Sequence, residues 1–508
     1  MAEADLLVPP DKGVTVRMYR PGHGDCFLIA FPRRGGGDPY YVLIDCGYKP
    51  GSQAFLDHGK PIGDIVRHLH ASCGGHLDLA ILTHEHQDHL NGIWKSTEPY
   101  FKDFEIEEAW VAWTEDPNNK LANDLRRRHK DQLLGLLAAR RELARAVEGD
   151  PAISRLDSLL GLEVGGDAEE LDMAEMLAAA ENPEKSVNKQ GMRLIKEKAA
   201  ARKGAFYLYP GKEPKPLDGA AGIRAFILGP PERADLIADE DPRDGEGFPQ
   251  EHAFSFAGAF RAPQNGDERA VPFRRHFFAP LEFALASETP LFTEHYGHGP
   301  NPVDDRDRIE VPPDAPWRRI DNEWLYSAET FALKLNKGIN NTSLAIAFEL
   351  PKSKKVLFFA ADAQRGSWFS WKDVTFKDGG ATVTARDLLA RTVLYKVGHH
   401  GSHNATLSGS ADDEYPNLNW MGQGSAASEF TAMITAVNEW ALTQNRPPWV
   451  HPLPSIRDAL ASKAQGRVFQ TDQNKPRKPT GLSRGAWRKF TNRSVFAELY
   501  FDWTVLDA

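Results

Sequence analysis

The stretch Thr83-His84-Glu85-His86-Gln87-Asp88-His89 follows directly on the apolar run LDLAIL and concentrates the metal-binding side chains of the chain. His84 and His86 are two positions apart. In extended backbone alternate side chains point the same way, so both can reach one ion. Asp88 and His89 fall where LNGIW begins a helix and can turn toward a neighbouring ion. Two more apolar runs end in ligand-type residues: KVLFFAA in Asp362, and TVLYKVG in His399-His400-Gly401-Ser402-His403. Asp362 can bridge two ions, and His399 can complete the second. Imidazole and carboxylate without thiolate suit Zn²⁺, with Mn²⁺ or Fe²⁺ as alternatives. A polar loop with incidental histidines is the plainer reading. It does not account for four ligand-type residues in six positions after a buried strand, joined by two more strand-end ligands.

These residues need strands that end at a common edge, as open α/β sheets provide. VTVRMY, FLIAF, YYVLID, LDLAIL and EEAWVAW read as strands, and PIGDIVRHLHA as a helix. From about 117 to 201 leucines recur at helical spacing among charged residues, through MAEMLAAA and GMRLIKEKAAA, which predicts a helical insertion. FYLY and GIRAFIL restore strand character near 206–228. A polar stretch from about 232 to 318 follows, with seven acids against two arginines over Glu232–Glu246, and reads as solvated loop. NEWLYSAETFALKL predicts a helix, SLAIAFEL, KVLFFAA and TVLYKVG three strands, ITAVNEWAL a helix, and VFAELYFDWTVL a closing strand.

The THEHQDH stretch resembles the metal-binding motif of the metallo-β-lactamase superfamily. Gly22-His23-Gly24-Asp25, Asp45-Cys46-Gly47, Asn340-Asn341-Thr342-Ser343, Ala361-Asp362-Ala363 and His399-His400-Gly401-Ser402 follow the order seen in the hydrolase domain of ComEC-type competence proteins. That family writes these stations roughly as GQGD, DxG, NNxS, GDA and PHHGS. The similarity covers about 13–112 and 335–405. It implies an α/β fold, the αββα sandwich of that superfamily, with two metals at one edge and phosphodiester hydrolysis. On this reading 13–112 and 335–445 are the two core halves, 113–334 is a large, partly helical insertion, and 446–508 is a C-terminal extension. His23 stands where the family has Gln, and Gly398 where it has Pro. The superfamily's third histidine on the first metal has no clear counterpart; His252, His276, His295 and His298 lie in the right interval.

The resemblance assigns His84 and His86 to the first ion and Asp88, His89 and His399 to the second, with Asp362 between them. The expected cofactor is a pair of divalent ions, Zn²⁺ foremost and Mn²⁺ as the alternative, which activate a hydroxide for in-line attack on phosphorus. His400 or His403 would protonate the leaving group or touch the phosphate. Asp25 and Asp45 would orient the imidazoles, and Asn341, Ser343 and Ser402 would hold loops or substrate. The catalytic set is then Asp88, Asp362, His400 and His403.

Composition narrows the class. The chain has 508 residues, a formal charge of −10 and three cysteines, too few for a disulfide framework. No run approaches a membrane span, and the first residues lack a basic and apolar leader, so a cytoplasmic protein is expected. No P-loop, HExxH or GxSxG is present. Lys475, Arg477, Lys478, Arg484, Arg488, Lys489 and Arg493 crowd one segment without an acid, with Trp487 and Phe490 interleaved. Cations can track phosphates while aromatics stack on unpaired bases. That makes single-stranded nucleic acid one candidate partner, and the basic helical segment 121–147 a candidate dock for a protein. The expected activity is that of a metal-dependent phosphodiesterase or nuclease. A small phosphodiester, nucleotide or ester hydrolase is the alternative, and a structural or partner-dependent metal-binding subunit is the alternative of another class.

Overall fold

The computed structural model describes residues 6–95, 98–146, 186–248, 338–444 and 448–508, with a few positions between 153 and 161. The chain divides into two compact units, 1–249 with 328–508, and 250–327. The fold that follows is that of the first. The MAEMLAAA segment, most of the polar stretch, the helix expected at 322–335 and His252, His276, His295 and His298 lie outside the described residues.

The fold is mixed α/β. In chain order its main strands are β1 (Gly13–Tyr19), β2 (Cys26–Phe31), β3 (Tyr40–Cys46), β4 (His76–Leu82), β5 (Glu105–Ala112), β6 (Gly204–Leu208), β7 (Lys215–Pro216), β8 (Arg224–Ile227), β9 (Ile346–Glu349), β10 (Val356–Phe359), β11 (Thr392–Lys396), β12 (Thr431–Ile434), β13 (Val468–Gln470), β14 (Ser494–Phe496) and β15 (Tyr500–Leu506). One sheet has the order β14-β15-β1-β2-β3-β4-β5-β6, the other β13-β12-β11-β10-β9-β8-β7. β3 through β6 are parallel, as are β10 through β13.

Period-two patterning explains the layers. Along β2, Phe27, Ile29 and Phe31 enter one core with Ile346, Phe348, Leu357 and Phe359 of the other sheet. Cys26, Leu28 and Ala30 face the opposite way. There Ile62, Ile65, Val66 and Leu69, at the i, i+3, i+4, i+7 spacing of an amphipathic helix, cover the outer face from the helix Ile62–Ser72. Val187–Ala200 packs on the same side through Met192, Ile195 and Ala199. On the far side the second sheet is covered by Leu388 and Leu389 of Ala385–Ala390 and by Ile456 and Leu460 of Pro454–Lys463. Each large apolar side chain so buried contributes about 1.5–3 kcal/mol.

Three elements differ from the sequence expectation. ITAVNEWAL is helical only over Asn438–Ala441, and its first residue, Ile434, ends a strand not expected from the sequence, Thr431–Ile434 between β11 and β13. A strand flanked on both sides in a parallel sheet is apolar on both faces, which removes the period-two signal. VFAELYFDWTVL folds as the hairpin β14–β15, and β15 pairs with β1 along its whole length. The Pro- and Asp-rich loop is not wholly solvated. Asp239 and Glu246 close on the buried Arg365 guanidinium, with Glu246 at 2.5 and 2.8 Å. No helix among the described residues is long and apolar enough to cross a membrane.

Candidate metal centre

The parallel strands of both sheets release their next residues at one edge. β4 ends at Leu82, and Thr83 to His86 continue before the one-turn helix Gln87–Leu90 carries Asp88 and His89. β10 leads to Asp362, β11 to the turn Gly398–Gly401, and β12 to Thr435. The glycines of the two early motifs allow this close approach. A Cβ on Gly47 would lie 2.3 Å from the Asp88 carbonyl carbon and the His89 nitrogen, and one on Gly24 would lie 2.6 Å from the Asp88 oxygen. Asp45, Ala361, His399 and His400 all adopt positive φ, at 53°, 50°, 41° and 54°. Such backbone costs about 1–3 kcal/mol per residue and persists where its surroundings over-determine it.

Asp45 is one such determinant. It accepts the Thr83 backbone N–H at 2.8 Å and the Thr83 hydroxyl at 2.6 Å. Its Oδ2 also lies 2.8 Å from His89 Nδ1. With Nδ1–H donated there, His89 turns Nε2 toward Asp362 Oδ2, 3.2 Å away. His400 repeats the pattern: Nδ1 is 3.0 Å from the Thr435 carbonyl, and Nε2 faces Asp88 Oδ2 at 2.9 Å and Asp362 Oδ2 at 3.6 Å. His84 Nδ1 meets the Thr83 and Ser343 hydroxyls at 3.1 and 3.3 Å, leaving Nε2 3.9 Å from the same Asp362 oxygen. His86 Nδ1 lies 3.2 Å from His84 Nε2.

Three imidazole Nε2 atoms therefore surround one carboxylate oxygen that makes no hydrogen bond in the structure and is buried. Orphaned buried acceptors are rare, and an ion is one reason they occur. The imidazoles of His84, His89 and His400, fixed from behind by hydroxyl, carboxylate and carbonyl oxygens, match with the Asp88 and Asp362 carboxylates what a divalent ion requires. Asp88, His89, Asp362 and His400 form the compact four-residue group, all buried.

Electrostatics divides these groups. Burial, reinforced by His89 and His86, holds His84 well below the usual imidazole range. Burial would lower His89 as well, but Asp362, Asp25 and Asp45 outweigh it and hold His89 well above that range. Burial opposes the charged forms of Asp88 and Asp362, yet both carboxyls lie well below the usual range. Lys49 and His400 dominate at Asp88; His89, His400 and Lys396 dominate at Asp362.

The remaining expected residues are placed as follows. His399 stays out of the four-residue group. Its Nε2 faces Asn340 at 3.3 Å and its Nδ1 faces Asn404 at 3.4 Å, and burial pushes it down to about 4. His400, which the sequence reading placed against the leaving group, joins the four-residue group where that reading put His399, and both residues of the turn adopt positive φ. His403 lies toward the surface, 3.3 Å from Asp241. Asp25 accepts the Thr435 hydroxyl at 2.5 Å and pairs with Lys396. Ser343 also accepts the Asp362 backbone N–H at 3.2 Å, joining the two motifs. Asn341 is a brace: it donates to the Ile237 and Asp239 carbonyls and accepts the Gln364 N–H. Ser402 is buried in the turn after His400.

Lys475, Arg477, Lys478, Arg484, Arg488 and Lys489 are exposed along a loop and the helix Arg484–Thr491. Trp487 turns inward and packs on Phe490, with centroids 5.0 Å apart, so its ring is part of the core edge. The insertion helix Lys120–Ala146 buries Leu133, Leu136 and Leu137.

Several residues at the site escaped the sequence reading. Lys49 lies 3.3 Å from Asp88 Oδ1. His451 stacks on His23 at 5.5 Å and lies 5.4 Å from His399. Lys189, from the helix Val187–Ala200, reaches Glu85 at 3.3 Å, between the two histidines of the motif. Nearby, burial and Glu85 raise Glu115 to about 7. Lys396, a lone cation inside the apolar run TVLYKVG, was the one signal of this kind visible beforehand.

No protein-family model matches the chain, and no curated protein is detectably similar to it.

Proposed function

We propose that this chain is a metal-dependent hydrolase on the metallo-β-lactamase αββα sandwich, acting on phosphodiesters, with a nucleic acid strand as the foremost substrate. The observation that carries this reading is the convergence of the His84, His89 and His400 Nε2 atoms on the unbonded Asp362 Oδ2. Asp88, His89, Asp362 and His400 would hold one divalent ion, and His84 and His86, sharing Asp362, a second. Zn²⁺ suits these donors best, with Mn²⁺ as the alternative. Bound there, such ions lower the pKa of water toward neutrality and offset charge on phosphoryl oxygens.

The chain's own residues supply the rest. Asp45, Thr83 and Thr435 fix the imidazoles, so no rotamer search precedes ion uptake. Lys49 keeps Asp88 ionised. His399, neutral at pH 7 and half-buried at the rim, is the candidate hydrogen-bonding partner for a substrate oxygen. The exposed cations of 475–489 would track the phosphates of a longer strand.

The test is cleavage of labelled single-stranded DNA, duplex DNA, RNA and bis(p-nitrophenyl) phosphate, each with Zn²⁺, Mn²⁺ or EDTA. Metal-dependent cleavage of a polymer, lost in Asp362→Ala, is expected. Turnover of the small diester alone would move the substrate to nucleotides or small esters. Full activity in Asp362→Ala would overturn the assignment of the centre.

A further inference from the structure

Lys396 ends β11 between Tyr395 and Val397, and its side chain is buried. A buried ammonium is costly unless paired and hydrogen-bonded. Here Nζ is ringed by three oxygens. Asp25 Oδ2 makes a short ion pair with it, the Ala361 carbonyl accepts from it at 2.9 Å, and Asp362 Oδ1 lies 3.4 Å away. The same ammonium thus grips the Ala361 turn, whose φ is 50°, and the oxygen of Asp362 that does not face the imidazoles.

We propose that Lys396 is a positioning residue and the built-in cation of the metal centre, filling the oxygen-rich side of Asp362 so that this carboxylate offers Oδ2 alone to an ion. The inference rests on the metal-centre reading above and names what tunes it. With the ammonium in place the donors offered to an ion would be few and rich in imidazole, which favours Zn²⁺. Without it, Asp362 Oδ1 would be free to join Oδ2 as a second oxygen donor, while Asp25, 3.7 Å from His89 Nδ1, stays behind the imidazoles; oxygen-richer, higher-coordinate sites favour harder ions such as Mn²⁺. Lys396 would set metal preference without itself touching the ion.

Removing a positive charge strengthens binding of any divalent ion, so a single affinity is a poor readout. Zn²⁺ and Mn²⁺ carry the same charge, and the ratio of their affinities cancels that Coulomb gain. The ion-free wild-type chain, Lys396→Met and Lys396→Met/Asp25→Asn are each titrated with Zn²⁺ and with Mn²⁺, and the visible spectrum is recorded with Co²⁺. The double variant carries one fewer unpaired buried carboxylate and serves if the single one does not fold. In both, the Zn²⁺:Mn²⁺ affinity ratio should fall by about 10-fold, the scale on which partners behind a ligand act. The Co²⁺ bands should weaken per ion as coordination number rises. A folded variant with a lower melting temperature but an unchanged ratio and spectrum would overturn the proposal, leaving Lys396 a charge balance only. A wild-type chain that takes up none of the three ions would overturn both this proposal and the metal-centre reading.

Discussion

The two halves of the HxHxDH motif end up in unlike surroundings. Asp88 and His89 leave the short helix Gln87–Leu90 into a group completed by Asp362 and His400, residues supplied by two strands of the other sheet. His84 and His86 lean on each other at 3.2 Å, and His84 approaches Asp362 at 3.9 Å and the His89 ring at 4.0 Å between centroids. The imidazoles differ in charge as well: His89 is held well above the usual range by three carboxylates, and His84 well below it by burial and its histidine neighbours. On the proposed reading, one spacing motif would therefore encode a strongly built site and a weaker one. A ligand sequence alone does not fix affinity; the strands that arrive from elsewhere do.

The most severe way to break that contrast is to remove the residue both halves share. Asp362→Ala should lower turnover by more than about 100-fold, beyond the loss typical of outer-shell changes, with the chain still folded; steady-state kinetics and circular dichroism check it. Next in size, His400→Ala should weaken Zn²⁺ binding by about 100-fold, whereas His399→Ala should cost less than about 10-fold. Equal effects in equilibrium titrations would mean that the turn presents both imidazoles to the ion.

A subtler contrast is protonic. In the ion-free chain at pH 7 His89 is charged and His84 is neutral, and ligation requires neutral imidazole. Ion uptake by the Asp88–His89 group should release about one proton from His89, and uptake by His84 none from that residue. Calorimetry in buffers of different ionisation enthalpy, on wild type and His89→Gln, measures this. The sign carries over to stability. Because its folded value is raised, protonated His89 stabilises the ion-free chain fully below about pH 6.5, and that contribution fades as pH rises through the folded value. The smallest effect lies farthest out: Arg484→Gln/Arg488→Gln/Lys489→Gln should flatten the log–log salt dependence of single-strand binding by about 2.

Much of the centre was legible because strand-end ligands and apolar runs are local signals. The buried strand LDLAIL and its exit at Thr83 follow from composition and spacing. The choice between His399 and His400 was not legible, since the two are adjacent in one turn and the folded backbone decides which imidazole reaches Asp88 and Asp362. Arg365 illustrates a different failure. An acidic stretch reads as solvated until a buried guanidinium more than a hundred residues away claims Asp239 and Glu246. β12 was hidden because burial on both faces erases periodicity. Gly24 and Gly47 were visible as motif letters, and their reason, backbone contact with Asp88 and His89, emerges only in three dimensions.

The most direct test of the centre is an equilibrium Zn²⁺ titration of the ion-free wild-type chain beside His84→Ala and His400→Ala. The account predicts that wild type binds Zn²⁺, that His400→Ala loses the tightest site, and that His84→Ala keeps it while losing a weaker one. A tightest site that survives His400→Ala and disappears in His84→Ala would contradict it.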